Sequence, residues 1–308
     1  EKMPWGVEVP DDSEHVMYVW FDALVNYIST LGWPEDDKNF SEFWPGIQIA
    51  GKDNLRQQSA MWQAMLMSAC LPTSKQILIH GFIESGGRKM SKSFGNVINP
   101  MEIVERFGTD ALRYWLSREM PTFDDGDFTE DKFLMAYEGN LVNGLGNYIS
   151  RVSTMVRSYF NATLEKPPEA ELLKVPLMKS GVEYVSVEYF IKEVVAKEYK
   201  LEMEKFELSR AAEKAFTLLK ELDGYVQGYE PFKLIKNDKE KTRAILWNLC
   251  FGAVSLAKLL APFLPGTSEK IFEIFGVDKD DKDFSNFKVK EHEVLFPRQE
   301  GGKERVEK

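Results

Sequence analysis

Cysteine is nearly missing from this chain. There are two in 308 residues, Cys70 and Cys250, which excludes a disulfide-stapled scaffold and offers no zinc ligand set. Both stand in apolar helical contexts, and both are expected to be reduced core thiols of a cytoplasmic protein. No apolar run is expected to span a membrane, and no signal peptide is visible. The chain starts at Glu1 rather than Met, so sequence upstream is expected, and any targeting segment would lie there. Net positive charge is also lacking: 39 Lys and Arg against 49 Asp and Glu give −10. That balance argues against non-specific nucleic-acid coating. It leaves room for one local basic tract, Lys233, Lys236, Lys239, Lys241 and Arg243, which suits a specific, transient RNA partner.

What is present begins with residues 86–100, Gly-Gly-Arg-Lys-Met-Ser-Lys-Ser-Phe-Gly-Asn-Val-Ile-Asn-Pro. Three cations, Arg88, Lys89 and Lys92, fall in five positions with no acid among them. A strand-like run over 76–83 leads in. A mobile cationic loop at a strand end can neutralise the charge that develops on a leaving polyphosphate and then release it. Taken as bare composition, the same residues could be a solvated basic turn.

The order Lys89-Met90-Ser91-Lys92-Ser93 resembles the signature loop of class I aminoacyl-tRNA synthetases. Two further blocks resemble the methionine branch of that family. One is Tyr18-Val19-Trp20-Phe21-Asp22-Ala23-Leu24-Val25-Asn26-Tyr27-Ile28, and the other runs from Gly51-Lys52-Asp53 to Trp62. The likeness extends in order over about residues 5–160 and more weakly beyond. It implies that Lys89 and Lys92 act on ATP phosphates. His80 and Gly81, at the strand end before the loop, are read as bordering the nucleotide, although His80 could simply orient the loop. The likeness also implies an amino-acid site of Trp20, Ala23, Tyr27, Asp53, Gln58 and Trp62. Aromatic walls suit a flexible, polarisable thioether. Asp53 would receive the α-ammonium, although N-capping the next helix explains it equally well. Gln58 departs from the histidine common in the family. In the helical part the resemblance assigns anticodon contacts to Asn147, Arg151 and Phe232, the last a tryptophan in most relatives. Core burial would account for Phe232 as readily. The partners implied are tRNA(Met), methionine and ATP with Mg2+, and no metal site is expected within this chain.

The expected fold class is α/β followed by all-α. Residues 1–98 are read as the C-terminal part of a Rossmann-like catalytic domain, 99–135 as a stem-contact linker, 136–295 as a helical anticodon-binding domain and 296–308 as a polar tail, disordered over 301–308. Strands are expected at His15–Trp20, Gly46–Gly51 (buried) and Gln76–Phe82, and helices at Asp22–Leu31 and Asn54–Ala69. Longer helices follow at Asp131–Phe160, Ser186–Glu204, Phe206–Gln227, Lys239–Leu260 and Thr267–Phe275. All three motif blocks are expected at the carboxyl ends of parallel strands, where such sheets bind ligands. The His-Ile-Gly-His-type motif of class I enzymes and the metal-knuckle insertion of the methionine branch do not occur. The chain is therefore expected to lack half of the ATP site and, alone, to form no aminoacyl-adenylate. The alternatives are a non-catalytic tRNA-binding module and a fragment of a leucine-, isoleucine- or valine-type enzyme.

Overall fold

The computed structural model describes residues 5–168, 174–176, 184–281 and 284–298. It divides into two compact units, one of residues 1–82 and 123–125, the other of 83–122 and 126–308. Of the polar tail expected over 296–308, Phe296 is instead buried edge-on against Tyr137, and residues 299–308 lie outside the described residues.

In the first unit, β1 (Glu8–Val9) and β2 (Asp12–Val16) form an antiparallel hairpin. Short helices α1 (Val19–Ala23), α2 (Asn26–Ser29) and α3 (Asp37–Phe43) follow. Asp36 caps α3 by accepting the Asn39 N–H at 3.0 Å. Then come β3 (Ile47–Gly51), a helical stretch over 52–61, α4 (Trp62–Ser68) and β4 (Gln76–His80). β3 and β4 pair in parallel, with Ile47 opposite Gln76 and Gly51 opposite His80. The helical crossover between them is what parallel pairing demands. Leu24, Ile28, Phe40, Trp44, Trp62 and Leu66 make the core of this unit.

The second unit opens with β5 (Ile83–Glu84), then α5 (Pro100–Phe107) and α6 (Thr109–Tyr114). Asn99 caps α5 with Pro100 at its first position, and Gly108, at φ 86°, ends it. β6 (Gly126–Asp127) pairs in parallel with β5. α7 (Glu130–Ala136) continues without a break into α8 (Asn147–Phe160). β7 (Thr163–Glu165) follows, then β8 (Lys174–Pro176) antiparallel to β9 (Tyr184–Ser186). The remaining helices are α9 (Val187–Tyr189), α10 (Ala196–Glu204), α11 (Leu208–Tyr229), α12 (Pro231–Leu234), α13 (Lys239–Leu260) and α14 (Pro265–Phe275). β10 (Asn286–Lys288) closes onto β7. The apolar stripe Ala211, Ala212, Ala215, Leu218, Leu219, Leu222 and Tyr225 of α11 is buried, and α11 packs on α10 and α13.

Several expectations are corrected. The strand proposed for His15–Trp20 ends at Val16, and helix begins at Val19. There the Leu24 N–H bonds to the Trp20 carbonyl, so the β-forming aromatics are overridden by helical hydrogen bonding. Only two of the three motif blocks therefore follow parallel strands. The single helix expected over 22–31 is two short ones. β3 is not buried throughout: Ile49 is 68% exposed while Gln48, on the other face, is buried. Cys70 is exposed, at a left-handed helix end. α13 does contain a window apolar enough to cross a membrane, but 78% of that window is buried inside the bundle. That is the signature of a core helix.

Candidate functional site

The amino-acid site expected from sequence falls entirely in the first unit. Tyr27, on α2, meets Trp62 at the start of α4, with ring centroids 6.0 Å apart. Trp44 stands edge-on to Trp62 at 6.2 Å. Trp20 packs on the same cluster. Gln58 is buried at 2% exposure, and its Nε2 donates to the Tyr27 hydroxyl at 2.8 Å. Its Oε1 and the Trp62 Nε1 are buried without a partner among the described residues. An aromatic wall with one donor and one acceptor unspent can orient a mostly apolar side chain. Ala23 is exposed and stands outside the buried cluster.

The carboxyl ends of β3 and β4 bring Gly51 and His80 side by side. A Cβ on Gly51 would come within 2.8 Å of Asp53 Oδ1 and 3.6 Å of His80 Cε1. Glycine therefore lets the carboxylate and the imidazole close on one spot. No side-chain cap is formed where the helical stretch begins, so Asp53 is not spent as an N-cap. Its exposed carboxylate can meet an ammonium. His80 Nδ1 lies 2.9 Å from the Gly81 carbonyl. A carbonyl only accepts, so Nδ1 carries the proton and a neutral ring presents Nε2 as an acceptor. Gly81 has a packing role: a Cβ there would stand 2.2 Å from the Asp124 backbone. Asp125 accepts the Phe82 N–H at 2.7 Å and pairs with Lys52. Lys52, first, and the Phe82 N–H hold its carboxyl below the ordinary value.

The basic loop belongs to the second unit. It is a hairpin, with Glu84 bridging Lys89 and the Ser85 N–H donating to the Arg88 carbonyl at 2.9 Å. Its turn is Gly86-Gly87, with φ of 64° and 71°, a pair that only glycine adopts without strain. Asn96 fastens the return: its Oδ1 accepts the Ser91 N–H at 2.8 Å, and its Nδ2 donates to the Lys89 carbonyl at 3.3 Å. Asp127 accepts the Gly87 N–H at 2.9 Å and pairs with Lys132 at 2.7 Å. Lys132, first, and that N–H keep its carboxyl below the usual range. Arg88 and Lys89 are exposed, and Met90 is anchored on the core. The side chain of Lys92 lies outside the described residues.

The third group is on the bundle. Asn147 is exposed and Arg151 lies one turn further along α8. Arg151 Nη1 donates to Asp223 Oδ1 on α11 at 2.8 Å, and Asp223 Oδ2 accepts from Gln227 Nε2 at 2.6 Å. Phe232 follows the left-handed end of α11 and is 42% exposed, whereas Pro231 beside it is buried. Burial is thus not what Phe232 is for. Sequence reasoning missed Asn96, Asp127 and Asp223. Only Asp223 carried a signal, its i,i+4 spacing to Gln227.

Comparison with known proteins bears on the family. Residues 1–153 match the model of class I (M) tRNA synthetases, and residues 192–300 match the anticodon-binding domain of tRNA ligases. A methionine–tRNA ligase of Caldanaerobacter subterraneus subsp. tengcongensis is 36% identical over 307 residues, covering 96% of this chain and 46% of that protein. One from Rickettsia typhi is 36% identical over 292 residues, covering 94% and 55%. The solved Mycobacterium tuberculosis methionyl-tRNA synthetase in complex with methionyl-adenylate is 27% identical with a TM-score of 0.83, over 96% of this chain and 59% of that one. The chain spans about half the length of the curated relatives it matches. These matches set aside the branched-chain alternative. With the α/β portion and the helical bundle both accounted for, the chain belongs to the class I (M) tRNA synthetase family.

Proposed function

We propose that this chain is the later catalytic portion and the anticodon-binding portion of a cytoplasmic methionine–tRNA ligase. In the whole enzyme the methionine carboxylate attacks the α-phosphorus of ATP. The bond to the β-phosphate breaks and pyrophosphate leaves, giving methionyl-adenylate. The terminal ribose hydroxyl of tRNA(Met) then attacks the acyl carbon and AMP departs. ATP enters as its Mg2+ complex, the metal being part of the substrate. Lys89 and Lys92 neutralise the charge that grows on pyrophosphate. Tyr27, Gln58 and Trp62 hold the thioether side chain, with Trp20 and Ala23 at its margin. Asp53 takes the α-ammonium, and His80 and Gly81 border the nucleotide. Asn147, Arg151 and Phe232 contact the anticodon by hydrogen bonding and stacking.

The observation that carries this reading is the Tyr27–Gln58–Trp62 cluster, with the exposed Asp53 carboxylate just past the end of β3, five residues before Gln58. The test is amino-acid-dependent ATP–pyrophosphate exchange. The full-length gene product is expected to turn over with methionine and not with leucine or valine, and the 308-residue chain alone to show no exchange. Exchange with leucine but not methionine would refute the assignment.

A further inference from the structure

Gln58 sits in an irregular turn, and the structure shows what holds it. In a regular α-helix the Trp62 N–H would donate to the Gln58 carbonyl, four residues back. Here it reaches to Gln57, five back, as in the π-type turns that often occur at functional positions. The Gln58 carbonyl instead accepts from a side chain: Gln63 Nε2, at 2.9 Å. Gln63 is itself fixed. Its Oε1 accepts the Ser74 N–H at 2.9 Å, and its Nε2 is 3.0 Å from Ser74 Oγ. Ser74 Oγ donates in turn to Gln48 Oε1 at 2.6 Å, on the buried face of β3. Donors and acceptors alternate correctly along the series. It runs from the strand, through the loop before β4, to the backbone of Gln58, whose own amide is on the Tyr27 hydroxyl at 2.8 Å.

We infer that Gln63 is a positioning residue for recognition of the amino-acid side chain. It locks the irregular turn so that the Gln58 amide stays against Tyr27 and leaves the second hydrogen of its Nε2 for the thioether sulfur, a weak acceptor. The inference rests on the reading of Tyr27, Gln58 and Trp62 as the methionine site. A merely structural Gln63 would affect all substrates alike. A positioning Gln63 affects the side-chain contact alone.

The decisive variant is Gln63→Glu in the full-length gene product. It keeps an acceptor for the Ser74 N–H and removes the donor to Gln58. Exchange kinetics are compared for methionine and norleucine, which has a methylene in place of sulfur. The expected result is a KM for methionine raised about five- to tenfold, with a matching loss of preference over norleucine. The KM for ATP and the far-UV spectrum should stay unchanged. Gln63→Ala should behave the same way, and in a Gln58→Ala background Gln63→Glu should cost no further preference. Equal rises in the KM values for methionine and ATP, or wild-type preference in Gln63→Glu, overturn the inference. If the unsubstituted enzyme shows no methionine-dependent exchange, the underlying site assignment fails and the inference falls with it.

Discussion

At the scale of single residues, Asp223 shows how a cation can be kept for recognition instead of affinity. Arg151 and Asp223 are each about one-third exposed in their side chains, so their ion pair contributes little to stability, on the order of 0–1 kcal/mol. Its use is geometric. One carboxylate oxygen takes the guanidinium and the other takes the Gln227 amide, which fixes the direction in which Arg151 presents its remaining donors. On the proposed reading those donors face unstacked bases. In Asp223→Ala the freed arginine should bind tRNA(Met) about as tightly, helped by one unit less negative charge. Discrimination against a tRNA with one altered anticodon base should fall several-fold, because a base contact is worth about 1–3 kcal/mol only when it is well aimed. Filter binding with the two tRNAs measures this. A uniform loss of affinity for both would show that Asp223 supports the bundle and does not aim the arginine.

At the scale of elements, α11 and α13 approach so closely that there is room for no side chain at Gly252. A Cβ there would lie 2.5 Å from Leu222 Cδ2 and 2.8 Å from its Cδ1. Gly252→Ala gains helix propensity of about 1 kcal/mol. The overpacking of buried Leu222 costs about 1–3 kcal/mol, so the balance should be destabilising. A urea melt should show the midpoint lowered at constant slope, whereas a raised midpoint would mean that Leu222 finds a second rotamer freely. Elements of this kind were the legible ones. The stripe on α11 and the span of α13 could be read from the sequence, because their apolar spacing is long and regular. The parallel pairing of β3 and β4 followed from strand–helix–strand order alone. Tyr18 to Trp20 misled, since the β-forming Val19 and Trp20 stand there in a helical turn that the extended Tyr18 leads into. Cys70 misled because an apolar neighbourhood in sequence turned out to be an exposed helix end. Of the candidate site, the Tyr27–Gln58–Trp62 grouping was named by resemblance. The support given by Gln63, Ser74 and Gln48 was invisible, since it joins positions far apart in sequence through side-chain hydrogen bonds that no periodicity announces.

At the scale of the whole molecule, the two units have separate cores of unequal size. The first rests on a cluster of six buried apolar side chains and leaves Val19, Phe21 and Ile49 well exposed, while the second buries the apolar stripe of α11 and most of α13. Five of the seven tryptophans, Trp5, Trp20, Trp33, Trp44 and Trp62, belong to the first unit, whereas the long helices belong to the second. Heating should therefore shift tryptophan fluorescence at a lower temperature than far-UV ellipticity. Coincident transitions would mean that the units unfold as one. α13 carries a further consequence, for biogenesis. A segment oily on nearly every side has no face to turn toward water, and its wrapping comes from α8 and α11 on one side of it in the chain and α14 on the other. During translation it must emerge half-clothed and wait for the ribosome to finish α14. For that interval it is a natural client for chaperones, and a stalled or clipped product ending just after Leu260 should be insoluble.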